Sequence, residues 1–302
     1  MCGICGYIRK QKVTLEQLKE MNDTMYHRGP NDSGEEIYPM VGGYQVGFAQ
    51  RRLSILDLSN LGHQPMHSQN ERVTVVYNGE VYNFRELREE LADYPFRSDC
   101  DTEVIIAAYL KWGISCVERF NGMFAIALYD REEDAVYLIR DRVGKKPLYY
   151  WYEQGELVFA SELKPIMSCP GFQGRIDRSV LSRYLFQQYI NAPESIYENV
   201  YKLEPGAFLK FHSGQIEIRK FWDVKTIYAE AVKNPVENYD EAKAQLKELL
   251  KRAVSLRMIA DVPLGSFLSG GYDSSLVTAL AQENSAEPVK TFAIGFQEER
   301  YH

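Results

Sequence analysis

Residues 1–8 read Met1-Cys2-Gly3-Ile4-Cys5-Gly6-Tyr7-Ile8. The cysteine at the second position guides the interpretation of the whole chain. If the initiator methionine is removed, Cys2 carries a thiol with an ordinary pKa of about 8.5 and a free α-amine with an ordinary pKa of about 7.7–8.0. A nucleophile and its general base then belong to one residue, and no histidine is needed to activate the thiol. The stretch therefore predicts an N-terminal nucleophile at the start of a strand.

Two simpler interpretations of this stretch remain open. Cys2 has no chemical role, or it pairs with Cys5 as a Cys-x-x-Cys redox or metal motif. Residues 3–8 are typical of a strand, and in a strand an odd separation places two side chains on opposite faces. No second Cys-x-x-Cys follows that would complete a zinc site. The rest of the chain has to decide between these interpretations.

The composition is that of an ordinary globular protein. A length of 302 residues favours two domains, and 45% apolar residues are ample for a core. The net charge of −7, without a basic stripe, argues against nucleic acid as a partner. Residues 1–30 lack the apolar segment of a secretory signal, and no apolar run is long enough to span a membrane. We expect a cytoplasmic location, because the cysteines are odd in number and scattered, at Cys2, Cys5, Cys100, Cys116 and Cys169.

Residues 1–190 mix helices with many strands in an α+β order. The capping box Thr14-Leu15-Glu16-Gln17 predicts a helix over 15–25, and a turn-rich loop follows at 27–34. Further helices are expected after Asn83 and after Asp99 or Asp101. Strands are predicted at 44–49, 52–56, 72–77, 123–130, 134–140, 147–152 and 156–161. This order suits helices layered on antiparallel sheets.

The pattern changes after residue 176. A short helix is predicted at 179–189, a hairpin at 206–210 and 215–222, and an irregular linker at 223–238. Asp240 is a candidate cap for a long helix that runs to about residue 258. Buried strands are predicted at 262–268 and 290–296, with a helix from Leu276 between them. This β-loop-α-β order is typical of a parallel α/β sheet.

The loop between these strands, Ser269-Gly270-Gly271-Tyr272-Asp273-Ser274-Ser275, has the features of a phosphate-binding loop. Its glycines let the backbone approach a ligand, the helix N-terminus carries partial positive charge, and the serine hydroxyls donate hydrogen bonds. Asp273 would repel a bare phosphate and therefore implies a bridging Mg²⁺. The alternative is an ordinary glycine-rich turn. The lysine of a Gly-x-x-x-x-Gly-Lys-Ser/Thr loop is missing.

The loop resembles the pyrophosphate loop of ATP pyrophosphatases, which activate carboxylates by adenylation. Seven further motifs resemble class II glutamine amidotransferases: Met-Cys-Gly-Ile-Cys-Gly at 1–6, His-Arg-Gly-Pro at 27–30, Arg-Leu-Ser-Ile at 52–55, Asn-Gly-Glu-Val-Tyr-Asn at 78–83, Phe-Asn-Gly-Met-Phe-Ala at 120–125, Arg-Asp-Arg-Val-Gly-Lys-Lys-Pro-Leu-Tyr-Tyr at 140–150 and Phe-Ala-Ser-Glu-Leu-Lys at 159–164. Together, and in this order, the two sets resemble the glutamine-hydrolysing asparagine synthetase family over essentially the whole chain.

The resemblance implies a four-layer αββα N-terminal-nucleophile hydrolase domain with antiparallel sheets, followed by an incomplete parallel α/β domain. It implies boundaries at 2–190 for the glutaminase, 191–238 for a hairpin and linker, and 239–302 for the start of an ATP pyrophosphatase domain. The chain also stops before the family's later motifs, and the residues from Asp240 onward are too few for a doubly wound domain, which normally exceeds ~100 residues. We expect a truncated chain that hydrolyses glutamine but forms no amide product.

The resemblance also implies roles for individual residues. Cys2 would attack the side-chain amide of glutamine, form a thioester and release ammonia. The oxyanion hole corresponds to Asn78 and Gly79, and the glutamine-binding positions correspond to Arg52, Asn78, Gly79, Glu80 and Asp101. Considered singly, Arg52 is compatible with a surface pair, Asp101 with a helix cap, and Asn78-Gly79 with a hairpin turn.

In the second domain the resemblance implies ATP and Mg²⁺ as cofactors, whereas the glutaminase half needs none. The ATP-binding positions are Leu268, Ser269, Gly270, Gly271, Asp273, Ser274, Ser275 and Ile294, with Asp273 also reaching Mg²⁺ through the pyrophosphate. Leu268 and Ile294 are equally compatible with plain core positions. The resemblance implies an asparagine synthase-type ligase whose substrates are glutamine, ATP and an acceptor such as aspartate. A homodimer is one arrangement it allows.

Two departures from the family pattern concern the acceptor and the loop after residue 30. Asn31 stands where aspartate is usual, with Asp32 adjacent, and Tyr272 replaces the commoner leucine. Variants like Tyr272 also occur in amidotransferases of surface-sugar pathways, so a sugar carboxylate is an alternative acceptor. A non-catalytic module is the third hypothesis. The loop at 269–275 disfavours phosphoribosyl transfer and fructose-6-phosphate amidation, which need no ATP pyrophosphate loop.

Overall fold

A computed structural model describes residues 1–295 and divides the chain into a first unit, Met1–Val224, and a second unit that starts at Lys225. The first unit contains twelve strands in two six-stranded antiparallel sheets. The strands are β1 (Gly3–Arg9), β2 (Asp32–Met40), β3 (Tyr44–Arg52), β4 (Met66–His67), β5 (Val73–Val81), β6 (Gly122–Asp130), β7 (Ala135–Arg140), β8 (Tyr149–Glu153), β9 (Glu156–Ala160), β10 (Val200–Lys202), β11 (Ala207–His212) and β12 (Gln215–Lys220).

The helices of this unit include the first and fourth, which pack on one sheet, and the third, which packs on the other. They are α1 (Leu15–Asp23), α2 (Phe84–Glu90), α3 (Asp101–Trp112), α4 (Leu163–Ser168) and α5 (Arg178–Gln187), with short 3₁₀ turns at Tyr26–Arg28, Val41–Gly43, Asn60–Gly62 and Gly113–Arg119. The predicted capping box is confirmed, since the Thr14 side chain accepts from the Gln17 amide and the Gln17 side chain accepts from the Thr14 amide.

Strand β1 is central in its sheet, whose order is β10-β8-β9-β1-β3-β2. Both faces of β1 are buried because the strand lies between two layers. Ile4 and Ile8 face the second sheet, whereas Cys5 and Tyr7 pack with Leu18 and other residues under α1 and α4. The second sheet has the order β12-β11-β7-β6-β5-β4, and α3 packs on β5. The predicted αββα layering is therefore confirmed.

Several predicted boundaries in this unit are wrong. Residues 52–56 form no separate strand, because β3 ends at Arg52 and the chain then turns into a loop. The predicted strand 72–77 continues through Asn78-Gly79-Glu80 to Val81, paired with β6, so Asn78-Gly79 is not a hairpin turn. The turn-rich loop predicted at 27–34 runs into β2 from Asp32. The predicted meander is wrong in one respect: β6–β7 and β8–β9 are antiparallel hairpins of two different sheets, and β7 pairs with β11 rather than with β8. The hairpin β11–β12 is confirmed.

The second unit contains α6 (Val224–Ala231), α7 (Tyr239–Arg257), β13 (Gly265–Phe267), α8 (Tyr272–Glu283) and β14 (Lys290–Phe292). Strands β13 and β14 pair in parallel, which confirms the β-α-β order. The predicted linker 223–238 contains α6, and Asn238 rather than Asp240 caps α7. Helix α8 begins at Tyr272, not at Leu276, because its first turn continues directly from the glycines.

The two strands of this unit are shorter and more exposed than predicted. Phe267 is 77% exposed and Phe292 is 56% exposed, since a pair of strands cannot bury both of its faces. Among the described residues of the unit, Leu280 and Ala281 on α8 are buried. The end of the predicted strand 290–296, Phe296, lies outside the described residues, as does the tail 297–302.

Candidate active site

Cys2 lies immediately before β1 and is held by hydrogen bonds on both sides of the backbone. Arg28 Nε donates to the Cys2 carbonyl oxygen at 2.8 Å, and the next peptide is fixed by Ser161, whose hydroxyl accepts from the Ile4 amide at 3.0 Å. The Leu53 amide donates to the Cys2 sulfur at 3.3 Å. Cys2 is half-buried, whereas the other four cysteines are buried and all five are free thiols. The predicted nucleophile is thus the accessible thiol of the chain.

Cys5 does not complete a pair with Cys2, because its side chain is buried in the cluster under α1 and α4. Burial raises the pKa of the Cys2 thiol, and the Leu53 amide, the N-terminal ammonium and the Lys146 charge each act in the opposite direction. The surroundings of the Cys2 sulfur therefore act on its pKa in both directions. Burial favours the neutral thiol, whereas the nearby amide and positive charges favour the thiolate.

Gly79 presents its backbone amide away from the neighbouring strand. In β5, the Tyr77 amide donates to Gln64 Oε1 at 2.6 Å and the Val81 amide donates to Asp101 Oδ2 at 2.9 Å, so neither points toward β6. Alternate residues of a strand point their amides to the same side, and Gly79 lies between these two. Phe124, the β6 residue opposite Gly79, makes its backbone hydrogen bonds with Asp141: its amide donates to Asp141 Oδ2, and its carbonyl oxygen accepts from the Asp141 amide. The Gly79 amide is therefore available to a ligand.

Asn78 has a fully buried side chain whose polar atoms lack partners. Its exposure is 0%, and neither Nδ2 nor Oδ1 makes a hydrogen bond. Leaving one buried polar atom unpaired costs ~1–3 kcal/mol, so such a group calls for an explanation. Asn78 and Gly79 border the larger cavity together with Cys2, and Asn78 Nδ2 and the Gly79 amide are both hydrogen-bond donors. This pair has the chemistry of an oxyanion hole.

Two carboxyls border the smaller cavity, the buried Asp101 and the half-buried Glu80. Asp101, the first residue of α3, is 5% exposed and accepts from the Tyr77 hydroxyl at 2.8 Å as well as from the Val81 amide. Burial raises the pKa of Asp101 against these hydrogen bonds. Burial, and then the charge of Asp101, raises the pKa of Glu80. A cation bound between the two carboxyls would favour ionisation of both.

Arg52 ends β3 and is covered by the loop that follows it. Its Nη2 donates to the carbonyl oxygens of Leu56 at 3.1 Å and Asp57 at 2.6 Å, and its Nη1 donates to that of Ser59 at 3.2 Å. Gly62 is required for this approach, because a Cβ at that position would lie 1.9 Å from Arg52 Nη2. The guanidinium is buried and uses neutral carbonyl oxygens, so it retains its full charge for an anion.

Two cavities meet at the sulfur and share Cys2, Ile55, Gly79 and Glu80. One has a volume of about 30 Å³ and includes Arg52 and Asp101, and the other has a volume of about 400 Å³ and includes Asn78 and Lys146. The smaller cavity holds only a few water molecules, since one water needs ~10–15 Å³. The structure thus brings together the six residues predicted for the glutaminase site: Cys2, Arg52, Asn78, Gly79, Glu80 and Asp101.

Sequence reasoning missed four residues that shape this site. Gln50 donates to the Tyr77 carbonyl oxygen at 2.9 Å and Gln64 accepts from the Tyr77 amide, so both fix β5. Arg28 holds Cys2, and Lys146 is a buried wall of the larger cavity. A polar residue at a core position of a strand is the signal for Gln50. Arg28 and Lys146 belong to quoted motifs, but their spacing does not show that they meet Cys2.

The predicted phosphate loop occupies the β13–α8 connection of the second unit. Gly270 has a φ of +83°, Ser269 Oγ lies 3.0 Å from Ser274 Oγ, and Gly271 caps α8. Asp273 and Ser274 therefore belong to the first helical turn, where amides have no intrahelical partner, whereas the Ser275 amide donates to the Gly271 carbonyl oxygen at 3.1 Å. Leu268 and Ile294 each follow a strand end, and the Leu268 amide donates to the Phe292 carbonyl oxygen at 2.8 Å. Ile294 is 79% exposed, unlike a core residue.

A cradle of this kind fits a phosphate, because helix amides and hydroxyls lie beside two glycines, and a Cβ at Gly270 would meet nothing within 4 Å. Within residues 1–295, no three His, Cys, Asp or Glu side chains cluster as metal ligands. Asp273 would thus hold Mg²⁺ only together with phosphate oxygens. In the same part of the chain, no helix is long and apolar enough to cross a membrane.

Comparisons with known proteins agree with this geometry. Residues 1–222 match the family described as glutamine amidotransferase domain, and residues 245–302 match the family described as asparagine synthase. Two Bacillus subtilis proteins named asparagine synthetase (glutamine-hydrolyzing) 3 and 1 are 33% and 35% identical over 99% and 100% of this chain. A Methanocaldococcus jannaschii protein whose name also contains asparagine synthetase is 39% identical over 98% of this chain.

The chain spans 48%, 47% and 60% of the lengths of these three relatives. Among solved structures, glutamine phosphoribosylpyrophosphate amidotransferase from B. subtilis, complexed with ADP and GMP, matches with a TM-score of 0.55 and 14% identity, over 97% of this chain and 65% of that one. This likeness concerns the fold.

Proposed function

Since the chain belongs to the glutamine amidotransferase domain family, we propose that its first unit hydrolyses glutamine to glutamate and ammonia with Cys2 as the nucleophile. The proposal requires removal of Met1, whose side chain is 61% exposed. The α-amine of Cys2 is then the general base. The observation that carries the proposal is the buried, unpartnered amide of Asn78 beside the free Gly79 amide and the accessible thiol.

In the proposed reaction, the Cys2 sulfur attacks the side-chain amide carbon of glutamine as the thiol proton passes to the α-amine. The carbonyl electron pair moves onto oxygen, where Asn78 Nδ2 and the Gly79 amide stabilise the negative charge. Collapse of the tetrahedral intermediate breaks the carbon–nitrogen bond, and the α-ammonium returns the proton to the leaving ammonia. Water then hydrolyses the thioester to glutamate and restores the thiol.

The charged groups of the smaller cavity would recognise the amino-acid end of glutamine. Arg52 would bind the α-carboxylate, because a planar guanidinium pairs with a carboxylate in a bidentate manner. Asp101 would bind the α-ammonium, with Glu80 as a further contact. Since the cavity of about 30 Å³ is too small for these groups, binding would require the loop over Arg52 to move. Arg52 would then exchange three carbonyl oxygens for the substrate carboxylate.

For the longer proteins to which this chain is similar, we propose an amidotransferase of the asparagine synthetase type. The loop at 269–275 would hold the phosphates of ATP, with Mg²⁺ bridging to Asp273, and ATP would adenylate a carboxylate such as that of aspartate. Ammonia from the first unit would displace AMP and form the amide. Five unpaired thiols suit the reducing cytoplasm that we propose as the location.

The test combines labelling with product analysis. The mass of the N-terminal peptide is measured before and after treatment with an electrophilic glutamine analogue, and ammonia and glutamate are measured from glutamine. We expect loss of Met1, one label on Cys2, and no ammonia from Cys2→Ala. A processed, folded protein that neither takes the label nor releases ammonia would refute glutaminase activity and favour a non-catalytic module.

The acceptor is tested separately, in a full-length relative of the asparagine synthetase type. ATP-dependent formation of asparagine from aspartate is compared with amide formation from a panel of sugar carboxylates. An asparagine yield above that of every sugar acid supports the proposal, and a sugar amide as the main product contradicts it.

A further inference from the structure

Lys146 is a lysine that the fold holds rigidly under the surface. It lies in the turn between β7 and β8, where the buried carboxylate of Asp141 accepts from the amides of Val143, Lys145 and Lys146 at 2.9–3.2 Å. Arg140 Nε donates to the Lys146 carbonyl oxygen at 2.8 Å. Both backbone groups of this residue are therefore fixed, which sets the direction in which the side chain leaves the backbone.

The Lys146 side chain is a wall of the larger cavity, together with Cys2, Asn78 and Glu80. The residue is only 4% exposed. Within residues 1–295, its ammonium makes no hydrogen bond or ion pair with the protein. Lys146 Nζ is not among the fully buried unpaired atoms, so the ammonium opens to the cavity that Lys146 shares with Cys2. A positive charge that has no protein partner and lies in the same cavity as a nucleophile points to a role at that nucleophile.

Four groups of the surrounding elements act on this ammonium: Cys2 at the start of β1, Glu80 on β5, Arg28 after α1, and Asp141 in its own turn. Asp141 is occupied by backbone amides, and Arg28 is occupied by Glu162 and the Cys2 carbonyl oxygen. The half-buried Glu80 lies near Asp101, and burial and then the charge of Asp101 raise its pKa, which disfavours its negative form. The sulfur of Cys2 is the remaining group that can become negative during reaction.

We propose that the Lys146 ammonium is the counter-charge of the Cys2 sulfur, stabilising the thiolate before attack and the negative intermediate after it. The inference rests on the proposed role of Cys2 as nucleophile. No bond to Lys146 forms or breaks: the thiol proton still passes to the α-amine, and the ammonium lowers the energy of the charge that remains on sulfur. Lys146 thus acts through Cys2 and does not replace its base.

The test measures the ionisation of Cys2 without using catalysis. Processed protein is alkylated with iodoacetamide across a pH series, and the rate at Cys2 is followed by mass spectrometry of its peptide. Lys146→Met should shift the alkylation midpoint upward by about 1 pH unit, which slows alkylation about tenfold on the acid side. Lys146→Arg should keep the wild-type midpoint, and Lys12→Met is the control for removing an exposed lysine.

The acid limb of the glutaminase pH profile should shift with the alkylation midpoint. Superimposable alkylation curves for wild type and Lys146→Met would overturn the inference, as would a folded Lys146→Arg that behaves like Lys146→Met. If the methionine variant does not fold, Lys146→Gln provides the same comparison with a polar end at the site. A shifted alkylation curve without ammonia release would refute the proposed function alone, and ammonia release with unshifted curves would refute this inference alone.

Discussion

Replacing Asn78 by alanine should slow glutamine hydrolysis without weakening the fold. Losing one donor of an oxyanion hole lowers kcat by about 10²–10³-fold, which is ~2.7–4 kcal/mol of transition-state stabilisation. The folded state should not lose stability, because Asn78 Oδ1 and Nδ2 make no hydrogen bonds and are fully buried. Each buried unpaired polar atom costs ~1–3 kcal/mol, which alanine removes. The side chain also borders the cavity of about 400 Å³, so water can occupy the space it leaves.

Asn22 is the matched control, since it is another fully buried asparagine of the first unit. Its Oδ1 is unpaired like that of Asn78, but its Nδ2 donates to Glu35 Oε1 at 2.7 Å and to the Gln50 carbonyl oxygen at 3.0 Å. Asn22→Ala should therefore lose ~1–3 kcal/mol of unfolding free energy while the folded fraction keeps its kcat. Glutamate release at saturating glutamine and urea denaturation are measured on the same preparations. The reasoning fails if Asn78→Ala stays within about tenfold of the wild-type kcat, or if it destabilises as much as Asn22→Ala.

Two further predictions concern the carboxyl groups that border the smaller cavity, those of Asp101 and Glu80. Asp101→Asn should raise the KM for glutamine at least about tenfold with a smaller effect on kcat, because a buried charge opposite the α-ammonium is lost. Steady-state kinetics measure both constants. An unchanged KM would contradict the assignment of Asp101 to the α-ammonium. Burial raises the pKa of Glu80 from its ordinary 4.5 to about 8, so the free energy of unfolding falls as the pH rises through that window. Glu80→Gln removes the free-energy cost of ionising Glu80 in the folded protein, so it should raise Tm more at pH 8 than at pH 5. A gain in Tm that is independent of pH would argue against ionisation of Glu80 in the folded state.

The layers of the first unit could be predicted because local patterns are strong there. The capping box before α1 and the turn-bounded runs of β6–β9 each specify their own element. The end of β5 was predicted wrongly at Asn78-Gly79, because an Asn-Gly dipeptide is typical of a hairpin turn. The ladder with β6 continues through it because Gly79 lacks a Cβ, which would lie 2.2 Å from the Met123 carbonyl oxygen. This close approach depends on β6, and the local sequence of β5 does not show it.

The candidate site likewise contains some residues that the sequence predicts and others that it does not. Cys2 is identifiable from its position alone, and Arg52 and Asp101 only through the motifs that resemble a family. Lys146 was not identified, because it reaches the larger cavity through the Asp141 turn, more than half the unit away in sequence from β1. Residues 52–56 resemble a strand by alternation, but Leu56 instead uses its carbonyl oxygen to cover Arg52.

The central position of β1 has a consequence for how activity is lost. Chain termini usually fray at little cost in free energy, but residues 3–9 pair with β3 on one side, and residues 5–8 pair with β9 on the other. Detaching β1, which positions Cys2, would break both ladders and open the layer between the sheets. Amide hydrogens of β1 should therefore exchange with solvent only through global unfolding. Inactivation by heat and loss of the native state are then one cooperative event, and a partly folded chain retains no active thiol.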